Sequence, residues 1–289
     1  MKRSQSERCS KGSATIFDTD SSRTKEIVKD TYRRAAENGG LGGSGNGSSG
    51  SGSSFSDDES NYTMMDESYE IRVGYVPDAD LGLGCGIPTD LAGIEEGHRV
   101  LDLGSGAGID AFIARDLAGE KGFVTGVDFT PKMIALARRN AKKLGFNNVT
   151  FIDGDIEALP IPDDSVDVVV SNCVLNLVPD KEAAFREMAR VIAPGGHFCI
   201  SDIVCRGHIP DAVRQAAERY AGCVAGALDE KDYLRKLKDA GFENVTVLKE
   251  REIQIPLSIL EGVLGCATRS TADAGGAIVS ITVRGDKPV

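Results

Sequence analysis

The sequence predicts an α/β fold: a seven-stranded sheet with helices on both faces and an antiparallel strand at its edge. Three observations predict it. From residue 98 onward, short runs rich in β-branched residues alternate with stretches of helical period. A glycine-rich turn follows the first of these runs, and two more strand-like runs come after the alternation has ended. Such alternation makes a parallel sheet, because each connecting helix must pack back onto the strands it joins.

Residues 1–23 read as a polar, disordered tail. Residues 24–38 can form one helix, with Ile27, Tyr32 and Ala35 near one face. Residues 39–54 comprise eight Gly, six Ser, one Leu and one Asn, so the stretch 39–60 reads as a flexible linker that buries almost nothing. The remaining residues, 61–289, form one domain. Its predicted parallel strands are 100–103, 123–127, 149–152, 166–170 and 197–201. Met133, Ala137, Ala141 and Leu144 recur at helical spacing between them, as do Phe185, Met188 and Ile192. A helix over 231–240 ends at Gly241, and the strands 245–248 and 278–283 close the sheet. The region from about 205 to 289 carries elements of a substrate site.

Composition narrows the function classes. The chain has 289 residues, 41% of them hydrophobic, enough for a sizeable core. Thirty-three basic against 44 acidic residues give a net charge of −11. Residues 1–60 hold nine of each sign, so the whole excess falls on the domain. Nucleic acid is excluded as a partner, because phosphate backbones are held by clustered Lys and Arg. No apolar run reaches the roughly 18–20 residues that cross a bilayer, and nothing near Met1 resembles a signal-peptide core, so the expected location is the cytoplasm. Seven irregularly spaced Cys do not make a disulfide scaffold and read as reduced thiols.

After the first strand comes Asp102-Leu103-Gly104-Ser105-Gly106-Ala107-Gly108. Glycines there let a ligand approach the backbone near a helix N-terminus. The third glycine falls one residue short of the G-x-G-x-x-G pyrophosphate cradle. Asp102 would repel a pyrophosphate but can receive an ammonium group. Asp128 ends the second strand, where a carboxylate grips ribose hydroxyls, and Asp155 follows the third, placed for an adenine amino group. An ammonium, a ribose and an adenine without phosphate describe S-adenosylmethionine. These signals at successive strand ends resemble the class I, Rossmann-like methyltransferase pattern. The candidate cofactor-binding set is Asp102, Gly104, Ser105, Gly106, Gly108, Asp128, Phe129, Met133, Asp155, Ile156 and Asn172.

Where most methyltransferases show a general base near the fourth strand, this chain reads Ser171-Asn172-Cys173. Cys85 and Cys223 lie in loop-like settings with Gly or Ala neighbours. Three thiols converging on a methyl donor suggest a thiophilic acceptor, and trivalent arsenic keeps a lone pair while bonded to three sulfurs. Leu81-Gly82-Leu83-Gly84-Cys85-Gly86, the run 100–110, Ser171-Asn172-Cys173, and Tyr220-Ala221-Gly222-Cys223-Val224-Ala225-Gly226 resemble the arsenite methyltransferase family over nearly the whole chain. The resemblance implies that Cys85, Cys173 and Cys223 bind arsenite as a substrate, that Cys173 and Cys223 can hold methylarsenite for a second round, and that a thiol reductant such as thioredoxin or glutathione is a partner. The family commonly carries a further Cys after the N-terminal helix; this chain has Asn38-Gly39-Gly40 there. Cys199 reads as core, and Cys9, Cys205 and Cys266 are given no role; the oligomeric state is left open. Two rival readings share parts of the pattern: a C- or O-methyltransferase of a small molecule such as a quinone precursor, and a non-catalytic metalloid-binding protein.

Overall fold

The computed structural model describes residues 21–38, 67–209, 214, 224, 226–254 and 276–289. The tail over 1–20, the linker, Cys9, Cys223 and Cys266 lie outside them. Seven strands form one mixed sheet: β1 (Arg99–Leu103), β2 (Phe123–Asp128), β3 (Val149–Asp153), β4 (Val166–Asn172), β5 (Ile192–Gly207), β6 (Glu243–Glu252) and β7 (Gly276–Asp286). The helices are α1 (Ser21–Asn38), α2 (Ile109–Ala118), α3 (Pro131–Leu144), α4 (Lys181–Val191) and α5 (Glu230–Asp239). Residues 21–23, read as tail, belong to α1. Its buried stripe is Thr24, Val28 and Ala35, one position over from the predicted face at Ile27, because the helix packs on α3.

Strand alternation builds the two cores. In β1, Val100 faces the layer of α2 and α3 while Leu101 and Leu103 face that of α4 and α5. In β4, Val168 and Val170 take the first side and Val169 the second. Phe112, Phe151 and Ala137 fill the first layer; Phe185, Met188, Tyr233 and Phe242 fill the other. The helix limits are chemical. Pro131 opens α3, and Gly145 closes it at φ 71°. Asp180 caps α4 by accepting from the Ala183 N–H at 2.9 Å.

The strand order is β3-β2-β1-β4-β5-β7-β6. β7 runs antiparallel to both β5 and β6, so the reversed strand lies one place in from the edge, and the edge itself is β6. The crossover through α5 sets β6 down parallel to β5 one strand-width too far out, and β7 fills the gap. On the other side of the sheet, β1 pairs with β2 and with β4, and the order reverses there. Open parallel sheets bind ligands at the carboxyl ends of strands that flank such a reversal. Leu103 aligns with Val127 and with Ser171, so Asp102, Asp128 and Asn172 share one edge of the sheet. Among the described residues, no helix is long and apolar enough to cross a membrane.

Candidate active site

A cleft opens at that reversal, with about 1070 Å³ between its walls counted out to the mouth. Its floor is the glycine loop. Gly104 has φ 69°, and a Cβ there would sit 2.4 Å from a Val174 methyl, so only hydrogen fits. Gly106 meets nothing within 4 Å and leaves the backbone bare toward the cleft; its N–H donates to Asp128 Oδ2 at 3.0 Å. Asp128 Oδ1 accepts from the Thr130 N–H at 2.8 Å, so this carboxylate braces both the loop and the start of α3.

Two more carboxylates line the cleft, fully buried. Asp102 Oδ2 has no hydrogen-bond partner, and neither has Asp110 Oδ1. Asp110 Oδ2 accepts from the Tyr69 hydroxyl at 2.8 Å and from Asn172 Nδ2 at 3.2 Å. Burial pushes Asp110 up to about 6, holds Asp102 well above the carboxylate range with help from the Asp110 and Asp128 charges, and raises Asp128 as well. Among the described residues no Lys or Arg pairs with Asp102 or Asp110. Buried carboxylates held without a cation are costly, and both of these belong to the lining of the cleft. A ligand bearing an ammonium and a sulfonium fits this donor set, and a pyrophosphate does not.

The opposite wall comes from α1, which contributes Lys25, Val28 and Tyr32. Lys25 Nζ donates to Asp155 Oδ2 at 2.6 Å and also to Glu157. Asp155 Oδ1 accepts from the Glu157 N–H at 3.0 Å. The carboxylate expected to meet an adenine therefore also anchors α1 over the cleft.

Cys173 stands just beyond β4 and lines the same cleft. Its φ is 58°, in the left-handed region that a side chain bearing Cβ avoids at a cost of about 1–2 kcal/mol. Its N–H donates to the Ser201 carbonyl at 2.8 Å, which holds it there. Cys85 is buried on the far side of Asn172, against a small hollow walled by Glu67, Lys249, Arg251 and Ser280. The fully buried Tyr233 donates to Asp202 Oδ2 at 3.0 Å. Cys199 lies in the core with its thiol pushed up to about 12 by burial. Cys205, expected after the fifth strand, lies within β5 because that strand runs on to Gly207. Among the described residues, no three His, Cys, Asp or Glu side chains form a metal-binding group.

The cleft thus brings together Asp102, Gly104, Ser105, Gly106, Asp128, Phe129, Asp155, Ile156, Asn172 and Cys173. Met133 does not line it: its side chain is wholly buried beneath α3. Gly108 does not line it either. It caps α2 at φ 100°, where a Cβ would meet the Phe112 and Phe151 rings at 2.9 Å. Sequence reasoning missed Lys25, Tyr69 and Asp110. An Asp in the first turn of a helix is ordinarily a dipole partner, and Tyr69 comes from a segment without periodicity.

Residues 94–241 match a family model described as a methyltransferase domain. An arsenite methyltransferase of Halobacterium salinarum is 39% identical over 283 residues, covering 94% of this chain and 69% of that one. The Homo sapiens arsenite methyltransferase is 39% identical over 193 residues, 63% of this chain and 50% of that one. The chain spans about half the length of the mammalian relatives it matches. The crystal structure of an arsenic(III) S-adenosylmethionine methyltransferase from Chlamydomonas reinhardtii superposes with a TM-score of 0.61 at 42% identity, covering 71% of this chain and 68% of that one.

Proposed function

Because the chain belongs to the arsenite methyltransferase family, we propose that it transfers a methyl group from S-adenosylmethionine to trivalent arsenic held by Cys85, Cys173 and Cys223, giving methylated arsenicals. The observation that carries this reading is Cys173: a thiol kept in left-handed backbone at the lip of a cleft whose buried carboxylates await a cation. Backbone strain at a non-glycine residue persists where the surroundings enforce it, and such positions cluster at functional sites.

Bound in the cleft, S-adenosylmethionine supplies an electrophilic methyl group on a sulfonium. Asp102 and Asp110 hold its ammonium end, Asp128 the ribose, and Asp155 with Ile156 the adenine. The bare backbone at Gly104 and Gly106 lets the ligand lie close, and α1 covers it. On the acceptor side, each arsenic–sulfur bond forms as an arsenic–hydroxide bond breaks, and the thiol proton leaves in water. No general base is needed. The lone pair on thiol-bound arsenic then takes the methyl carbon as the carbon–sulfonium bond breaks and S-adenosylhomocysteine leaves; no proton is removed, and arsenic passes formally from the trivalent to the pentavalent state. The cleft therefore offers carboxylates for a cation where other methyltransferases present a base for an acceptor. Arsenite is a neutral hydroxide at pH 7, so the acidic surface does not repel it. Two thiols supply the two electrons that return arsenic to the trivalent state and close a disulfide, and a thiol reductant such as thioredoxin or glutathione, the partner this reading requires, opens it again.

The test is incubation of the protein with arsenite, methyl-deuterated S-adenosylmethionine and a thioredoxin or glutathione system, with products read by mass spectrometry. Deuteriomethylated arsenicals support the proposal. Turnover of a quinone precursor insensitive to thiol blocking, with no arsenical product, overturns it.

A further inference from the structure

The side chain of Asn172 joins the two halves of the site. Its Oδ1 accepts from the Cys85 N–H at 3.0 Å, and its Nδ2 donates to the Gly86 carbonyl at 2.7 Å. One carboxamide thus clamps two consecutive residues of the loop that carries Cys85. The same Nδ2 lies 2.6 Å from the Tyr69 hydroxyl oxygen and 3.2 Å from Asp110 Oδ2, while Tyr69 donates to that carboxylate oxygen. Two N–H bonds therefore serve three acceptors, one on the thiol loop and two on the donor side. The Cys85 loop has other anchors. Ser280 Oγ donates to the Cys85 carbonyl at 2.7 Å, and Gly86 is pressed so close to Ser201 that a Cβ would stand 2.7 Å from its Oγ. Asn172 joins this loop to a carboxylate that lines the donor cleft, and the Tyr69 hydroxyl, at 3.5 Å from the Gly86 carbonyl, supports it from the same side.

We infer that Asn172 is a positioning residue that couples the donor cleft to the Cys85 loop, so that a cation-bearing ligand in the cleft tightens the hold of the Cys85 thiol on trivalent arsenic. This rests on the arsenite reading above. The mechanism is electrostatic. With its pKa at about 6 the Asp110 carboxylate is charged at neutral pH, buried and, among the described residues, without a cation beside it. An ammonium in the cleft compensates that buried charge and fixes the carboxylate in one position, and hydrogen bonds to a charged acceptor are roughly twice as strong as those to a neutral one. Tyr69 and Asn172 are then held in place, and the carboxamide's grip on Cys85 and Gly86 stiffens with them. Linkage makes the effect reciprocal: arsenic on the loop tightens the donor by the same factor.

The experiment is calorimetric titration of the reduced full chain with arsenite, with and without saturating S-adenosylhomocysteine. That analogue keeps the ammonium and transfers no methyl group. The wild type binds arsenite about 10-fold more tightly with the analogue present, within the 5–150-fold range of ordinary coupling. In Tyr69→Phe and in Asn172→Ala the ratio falls toward one, whatever change each substitution makes to the affinity for either ligand alone. Methylarsenite, which needs only Cys173 and Cys223, shows no coupling in any of these proteins. A separate role of Asn172 in folding would not move this ratio. Equal arsenite affinity with and without the analogue in the wild type overturns the coupling and spares the arsenite reading. Undiminished coupling in both variants overturns Asn172 as its carrier. Failure of the wild type to bind arsenite at all overturns both.

Discussion

Replacing Asp110 by Asn separates what the fold wants from what the donor wants. The carboxylate is fully buried, and its Oδ2 already accepts from Tyr69 and Asn172. An Asn can keep its amide oxygen in that place and put its NH2 where Oδ1 has no partner. The variant is nearly isosteric and loses only the charge. Burial raises this carboxyl from 3.8 to about 6, and each unit corresponds to about 1.4 kcal/mol. The unfolded chain gives up the proton near 3.8 and the folded chain near 6. The penalty on folding is therefore absent below that window, grows across it, and reaches about 3 kcal/mol above it. Asp110→Asn is expected to be more stable than wild type by up to about 3 kcal/mol at pH 7.5 and by roughly half as much at pH 5. Urea unfolding at the two pH values, with and without S-adenosylhomocysteine, reads it. The wild type gains stability from the analogue by mass action, and the variant gains much less. A variant less stable than wild type at pH 7.5, or a stability difference independent of pH, would refute the reasoning.

Other expectations follow from single positions. Cys173→Gly should be more stable than Cys173→Ala by about 1 kcal/mol in thermal unfolding, because only glycine adopts φ 58° without strain, and neither variant should methylate arsenic. Gly104→Ala must push into Val174 from a left-handed backbone; a loss of about 2 kcal/mol or more, with donor-analogue affinity down at least 10-fold, is the expected result of unfolding and binding assays. Lys25→Met removes the tie between α1 and the Asp155–Glu157 turn. Lys25 and Asp155 are both partly exposed, so stability should change by less than about 1 kcal/mol, while stopped-flow measurement should show faster release of the donor analogue.

How far the sequence could be read depended on how local each signal was. Asp102, Asp128 and Asp155 were legible because parallel strands put their carboxyl ends on one edge, so position along the chain translates directly into position at the cleft. Met133 and Gly108 sit close in sequence to the glycine loop, and proximity alone cannot separate a residue that walls the cleft from one that supports the wall. Asp110 and Tyr69 escaped notice because their pairing spans 41 residues and joins a helix to an aperiodic segment. The place of β7 inside the edge depends on which gap the α5 crossover leaves, a tertiary matter. Cys173 was found as a thiol at the right strand, but its strained backbone, the feature that most distinguishes it, is visible only in three dimensions.

The most direct measurement compares Cys85→Ser, Cys173→Ser and Cys223→Ser for methylation of arsenite and of methylarsenite, with products followed by mass spectrometry. Arsenic held by three thiols predicts that Cys173→Ser and Cys223→Ser lose both activities, while Cys85→Ser loses the first and keeps the second. Normal methylation of arsenite by all three variants would contradict the account.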